Sequence, residues 1–265
     1  MNMIKALFFD IDGTLVSFHT HEIPASAIEG IRLAKAKGIK IFISTGRPKS
    51  IINNLHALED AGLIDGYITM NGAYCFTGDT VISKSPIPDT DVRHMARLCE
   101  EHRFPCIFVS EHQLHVCHPD KMVEEIFHQH LNVATEAMPY AQTSEVVRWD
   151  IFQMTPFLTV DEEQQYSSLF PHCESNRWYP AFTDLTKAGT TKQKGVDDIC
   201  RYFHIGIEEC MSFGDGGNDV SMLRHTGIGV AMGNATEPTK QAANYITSSV
   251  DDNGIWNALK HFKII

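Results

Sequence analysis

Over the first seventy residues, short apolar runs alternate with longer amphipathic stretches. Ala6 to Phe9 is apolar without interruption and too short for a helix, which predicts a buried strand. Residues 24–37 read as a helix, with Ile28, Ile31 and Ala34 on one face and Gly38 as its stop. A second strand is predicted at 39–44. Pro48 then marks the first position of another helix, whose apolar face would be Ile51, Ile52, Leu55 and Leu58. Residues 66–70 predict a third strand, closed by the turn dipeptide Asn71-Gly72. Strand, helix, strand, helix, strand is the opening of a doubly wound parallel sheet.

The rhythm then changes. Residues 74–84 predict a hairpin around Gly78-Asp79, and 85–88 a linker. From 89 to 184 helices mix with alternating-pattern strands. Helices are expected over 91–102 and 119–130, and strands near 106–109, 114–116 and 146–154. A strand-to-helix step over 155–169 and a returning strand over 178–185 follow. This reads as an inserted α+β domain at 85–185, about a hundred residues and so of ordinary domain size. It divides a core made of 1–84 and 186–265. After it come a turn rich in threonine and lysine at 187–195, a helix through Val196, Ile199, Cys200 and Phe203, and strands at 209–213, 228–231 and 245–247. Helices are expected from 220, after a cap at Asn234 or Thr236, and over 254–262.

Composition narrows the function classes. With 265 residues, 43% hydrophobic and 21% charged, the chain can bury a sizeable core. A charged strand end comes within ten residues of the start and no apolar run approaches a membrane span. No signal peptide and no membrane partner are therefore expected, and the location expected is cytoplasmic. The seven cysteines are odd in number and scattered, which suggests reduced thiols, not a disulfide frame or zinc site. A formal charge of -11 argues against nucleic acid as a partner, since that needs a basic stripe. His112, His115 and His118 have helical metal-face spacing, but Leu114-His115-Val116 reads as a strand, in which the three would not share a face. Trp149 and Trp178-Tyr179-Pro180 read as packing or hinge aromatics.

The candidate chemistry lies where the apolar runs end. The first run is followed by Asp10-Ile11-Asp12-Gly13-Thr14, and residues two apart in an extended segment face the same side. Two carboxylates so close call for a metal, a shared proton, or both. The second run ends in Thr45-Gly46-Arg47: a hydroxyl donor, a backbone that can be approached closely, and a planar fork for phosphate oxygens. The fourth ends in Gly214-Asp215-Gly216-Gly217-Asn218-Asp219. Lys192 or Lys194 supplies a cation near a helix start. Each cluster alone is also explained by turn chemistry. Together they fall at strand ends and helix starts of one βα pattern, which in a parallel sheet share an edge. Oxygen donors without His or Cys suit Mg²⁺.

This set resembles the haloacid dehalogenase superfamily of aspartate-nucleophile phosphatases. Asp10 to Thr14 is similar to its first motif, Thr45 to its second, Lys192 to its third, and Gly214-Asp215 with Asn218-Asp219 to its fourth. The insert resembles the C2-type (C2B) cap, and Thr45-Gly46-Arg47 with Asn71-Gly72-Ala73 resembles the Cof-type branch, most of all a hexose phosphate phosphatase. The resemblance implies a Rossmann-like core with a cap, Mg²⁺ as cofactor, and a small phosphorylated sugar as substrate for a monomer or weak homo-oligomer. It implies Asp10 as nucleophile and Asp12 as general acid and base. The metal would be held by Asp10, the backbone carbonyl of Asp12, Asp215 and Asp219, and the phosphate by Thr45, Gly46, Arg47, Lys192 and Asn218. Lys192 fits the family spacing better than Lys194. A sugar phosphomutase or a non-catalytic sugar-phosphate binder are the alternatives.

Overall fold

The computed structural model describes residues 3–130 and 137–265, and the side chains of residues 128–130 and 178 lie outside what is described. In chain order the elements are β1 (Ala6–Phe9), α1 (Ala25–Ala36), β2 (Lys40–Ser44), α2 (His56–Glu59), β3 (Gly66–Thr69), β4 (Tyr74–Thr77) and β5 (Thr80–Lys84). Next come α3 (Asp89–His102), β6 (Cys106–Val109), β7 (Leu114–Cys117), α4 (Lys121–Val123), α5 (Thr143–Val146), β8 (Gln153–Pro156), α6 (Val160–Tyr166), β9 (Cys173–Tyr179) and β10 (Phe182–Lys187). The last are α7 (Lys192–Phe203), β11 (Cys210–Gly214), α8 (Val220–His225), β12 (Ile228–Ala231), α9 (Glu237–Ala242), β13 (Tyr245–Ile246) and α10 (Gly254–His261). Two compact units result: Met1–Arg47 with Ile52–Lys84 and Thr191–Ile265, and Pro48–Ile51 with Ser85–Thr190. Strand β10 continues to Lys187, past the residue 185 at which the sequence pattern ends the insert.

The first unit is built on one eight-stranded sheet in the order β13-β12-β11-β1-β2-β3-β4-β5. The six strands from β13 to β3 are parallel, and β4 and β5 add an antiparallel hairpin at one edge. Both faces are covered, which is why its inner strands read as unbroken apolar runs. Leu7 and Phe9 of β1 pack with Ile31 and Ala34 of α1 and Ala258 and Leu259 of α10. Ala6 and Phe8, pointing the other way, pack with Val196, Ile199 and Cys200 of α7. A fully buried phenylalanine such as Phe8 contributes about 1.5–3 kcal/mol by leaving water.

The order of strands decides what can meet. β1 lies between β11 and β2, with Phe9 level with Phe213 on one side and Ile43 on the other. Asp10 after β1, Asp215 after Gly214 at the end of β11, and Thr45 after Ser44 at the end of β2 therefore leave the sheet at one edge.

The second unit contains a five-stranded antiparallel sheet, β7-β6-β8-β10-β9. Helix α3 buries Val92, Met95 and Cys99 against Phe108, Val146, Ile151 and Met154. The stretch 85–88 is more than a linker: Ile87 is buried in this core and its N–H donates to the Ile151 carbonyl at 2.7 Å.

Four expected elements differ. The returning strand expected over 178–185 is broken by a turn at Pro180 and Ala181 between the antiparallel β9 and β10. The helix expected from Pro48 to Leu58 is a 3₁₀ turn at Lys49–Ile51 and the short α2. Between them lie Ile52, Asn53, Asn54 and Leu55, which include a β-branched residue and two side chains that compete for backbone bonds. The strand expected from 146 begins only at Gln153. Residues 143–146 form α5, fixed by Glu145 accepting from the Gln142 N–H at 2.7 Å. The helix over 119–130 is one α turn, capped by Asp120, followed by π-helical Glu124–His130. The three spaced histidines have separate surroundings. His115 stacks on Trp149 at 4.2 Å, His118 bonds Glu100 at 3.0 Å, and His112 lies exposed near Glu111. Among the described residues no helix is long and apolar enough to cross a membrane.

Candidate active site

The sheet edge gathers charge. Asp10, directly after β1, is 7% exposed, and its N–H donates to the Phe213 carbonyl at 3.1 Å. Lys192 is the first residue of α7, whose preceding Thr191 accepts from the Lys194 N–H at 3.2 Å. Its side chain is fully buried, and Nζ donates to Asp10 Oδ1 at 2.6 Å and to Asp219 Oδ1 at 2.7 Å. Lys194 is spent elsewhere, on Asp198 one helical turn on at 2.7 Å. The other oxygen of Asp219 accepts from the N–H groups of Asp215 and Gly216, both at 3.0 Å.

Asp215 is held at both oxygens. Thr14 donates to Oδ1 at 3.0 Å, and Asn234 Nδ2 reaches Oδ2 at 3.4 Å while donating to the Gly13 carbonyl at 2.8 Å. Gly13 turns with φ +83°, and a Cβ there would collide with the Asp215 carboxylate, so the turn after β1 admits only glycine. Asp12 departs from the other acids: its carboxylate is gripped by Arg47 through two bonds, Nε at 2.7 Å and a terminal nitrogen at 2.8 Å. Thr45 is buried and its Oγ1 accepts from the Arg47 N–H at 3.0 Å, which leaves its own hydroxyl hydrogen to give. Asn218 Nδ2 donates to Asn71 Oδ1 at 2.9 Å.

Of the residues expected in a metal site, Asp10, Asp215 and Asp219 present oxygens within 4.8 Å of one another, while the Asp12 carboxylate lies with Arg47. The donor set is all oxygen, and Asp10, Asp12, Asp215 and Asp219 set four carboxylates against the two cations Lys192 and Arg47. A divalent cation would balance that difference, and the donors fit one. Burial pushes Asp10 well above the usual carboxylate range; Lys192 opposes this, and the charges of Asp219, Asp215 and Asp12 add to it. Asp215 is pushed up to about 7, by burial first and then by Asp219. Burial would lower Lys192, but the carboxylates of Asp10 and Asp219 outweigh it and hold the ammonium above the ordinary lysine value.

Sequence reasoning did not assign Thr14, Asn71 or Asn234 to the site. Of the two caps expected for α9, Asn234 or Thr236, the N-cap position is Thr236; the Asn234 Nδ2 is spent on Gly13 and Asp215, and its Oδ1 accepts from the Val250 N–H at 3.0 Å. Thr14 alone stands beside an acid motif, and the types of all three residues are equally explained by turn chemistry.

The family profile of haloacid dehalogenase-like hydrolases matches residues 7–259. This chain is a haloacid dehalogenase-like hydrolase. The hydrolase superposes on BT4131, a sugar phosphatase of subclass IIB, with a TM-score of 0.91 and 59% identity over 98% of this chain and 100% of that one. It is 37% identical to BT1666 of Bacteroides thetaiotaomicron, a phosphatase of the same superfamily, with a TM-score of 0.87 over 99% and 96% of the two chains. YkrA of Bacillus subtilis is 30% identical over 98% of both chains. The hydrolase is accordingly a phosphoric monoester hydrolase with the parallel-sheet core of its family.

Proposed function

We propose that this hydrolase removes the phosphoryl group from small phosphorylated sugars, hexose phosphates foremost, through an aspartyl phosphate on Asp10. The observation that carries this reading is the burial of Lys192 between Asp10 and Asp219, beside Asp215 and two residues from a second acid. Lys192 fixes Asp10 through Oδ1. Among the described residues the other oxygen has no partner, so it is the one free to attack phosphorus.

In the first step the Asp10 oxygen–phosphorus bond forms as the ester bond breaks, and Asp12 gives its proton to the leaving sugar oxygen. In the second, Asp12 takes a proton from water, the water oxygen bonds to phosphorus, and the bond to Asp10 breaks. Arg47 grips Asp12 in the absence of substrate, and a phosphate dianion competes for the same guanidinium fork. Thr45, Gly46, Lys192 and Asn218 complete the phosphate site. Asp10, Asp215 and Asp219, with the Asp12 carbonyl, would hold Mg²⁺, which supplies charge neutralisation of the phosphoryl oxygens when bound. Identity of 59% to a subclass IIB sugar phosphatase supports the sugar-phosphate class.

The test is phosphate release across hexose, pentose and triose phosphates, nucleotides and a hexose bisphosphate, with a chelator control and Asp10→Asn beside the wild type. Mg²⁺-dependent release favouring sugar monophosphates and lost in the variant is the expected result. Interconversion of sugar phosphate isomers without release would assign the chain to phosphomutases, and binding without either reaction to a regulator.

A further inference from the structure

The loop after β3 has an unusual backbone. Met70, Asn71 and Gly72 are successive residues with positive φ, at +50°, +54° and +96°. Asparagine and glycine tolerate this region, but a buried methionine does so rarely, so the surroundings must impose the turn. Two backbone bonds tie it to the loop after β2. Asn71 N–H donates to the Thr45 carbonyl at 3.0 Å, and Met70 N–H to the Arg47 carbonyl at 3.3 Å.

The turn carries the Asn71 side chain inward. Asn71 is 7% exposed, unlike an asparagine kept only for its ease in a left-handed turn, which would leave its amide in water. Its Oδ1 accepts from Asn218 Nδ2 at 2.9 Å, and this fixes the amide orientation, leaving the NH₂ group on the other side. Among the described residues that NH₂ has no hydrogen-bond partner. Gly46 lies against it: a Cβ there would sit 3.4 Å from Asn71 Nδ2 and 3.3 Å from its oxygen.

Asn71 Nδ2 is not among the fully buried side-chain atoms that lack a partner, so the NH₂ opens to solvent and is free to donate to an incoming acceptor. The neighbouring cations are already engaged, Lys192 by Asp10 and Asp219 and Arg47 by Asp12. An incoming dianion therefore meets neutral donors first, the Thr45 hydroxyl and the Asn71 amide. We infer that Asn71 is a further phosphate ligand, whose Nδ2 donates to a non-bridging oxygen of the phosphoryl group while its Oδ1 orients Asn218. This rests on the phosphatase site proposed above and adds to it a residue outside the four acid, hydroxyl and lysine motifs.

Two variants separate donation from mere positioning. Asn71→Gly keeps the left-handed backbone and removes the amide. Asn71→Asp keeps an acceptor for Asn218 but replaces the donor by an anionic oxygen. Binding of inorganic phosphate is measured by calorimetry with Mg²⁺ present, and kcat/KM with p-nitrophenyl phosphate. The glycine variant is expected to weaken both by about 10-fold and the aspartate variant by about 100-fold or more, as for a lost and a repelled charge-assisted bond, with melting and far-UV dichroism of the glycine variant unchanged. Wild-type phosphate binding in Asn71→Gly, or binding by Asn71→Asp as tight as or tighter than by Asn71→Gly, would overturn the assignment. Wild-type protein that binds phosphate but turns over no ester, or Asp10→Asn with wild-type turnover, would count against the phosphatase mechanism alone, since calorimetry reads Asn71 without turnover.

Discussion

Asp10 and Asp91 are both deeply buried acids, one in each unit, and their surroundings push them in opposite directions. Burial alone would raise both. In Asp91, on the first turn of α3, the ring and backbone of His172, the Thr90 hydroxyl and the Cys173 thiol outweigh it and hold the carboxyl below its usual range. In Asp10 the one opposing group is Lys192, shared with Asp219, and three further carboxylates add repulsion. Burial of an acid therefore says little about its task. A buried carboxylate whose donors are complete fastens a loop to a helix; one left short of compensation is prepared for a cation and an anionic substrate.

The largest expected effect breaks the uncompensated side outright. Asp10→Asn keeps the shape and removes the nucleophile, and turnover of sugar phosphates should fall by about 10⁴-fold or more. Phosphate release by the purified variant measures this, and activity within tenfold of the wild type would refute the covalent mechanism.

Lys192→Met removes the buried cation bound to both Asp10 and Asp219. In chelator the variant should lose about 3–5 kcal/mol of stability, as when one partner of a buried pair is deleted. Mg²⁺ should return a share of it, because a divalent ion takes over the compensation. Denaturant melts with and without the metal read this directly, and an equal loss in both conditions would contradict a metal at the acid cluster.

The metal-free cluster should also respond to pH. With Asp215 pushed up to about 7, the folded chain keeps a proton that the unfolded chain releases near pH 4. The contribution of this group falls as pH rises between those values and stays reduced above them, by roughly a few kcal/mol. Mg²⁺ competes with the proton, so the rise in Tm on adding Mg²⁺ should be larger at pH 7.5 than at pH 5. An increment independent of pH would mean that the ion binds elsewhere.

Much of this site was legible because its parts sit at strand ends. Asp10, Asp12, Asp215 and Asp219 each follow an apolar run of buried-strand length, and a parallel sheet brings such ends to one edge. Lys192 stood at a recognisable helix start. What stayed hidden has two physical sources. Asn71 and Asn234 are residue types that turns and caps use everywhere, so only long-range contacts reveal that their amides face Asn218 and Asp215. The helix expected from Pro48 and the strand expected from Val146 do not form because local competition outweighs apolar spacing. Ile52-Asn53-Asn54 interrupts the first, and the Gln142–Glu145 cap sets a helix over part of the second.

The smallest effect sharpens the compensated side of the comparison. Asp91→Asn still accepts one bond from the His172 backbone but loses the charge that collects the imidazole, hydroxyl and thiol donors. A stability loss of about 1–3 kcal/mol is expected at pH 7, the range for hydrogen bonds to a charged group. The folded pKa of Asp91 is depressed, so its contribution is fully present above the unfolded value near pH 4 and is lost as pH falls through the lower folded value. The gap between wild type and variant in urea melts should accordingly be constant from pH 5 upward and close in stronger acid, while phosphate release well below the melting temperature is unchanged. A gap that widens in acid would show that Asp91 is strained rather than satisfied, and the contrast with Asp10 would fail.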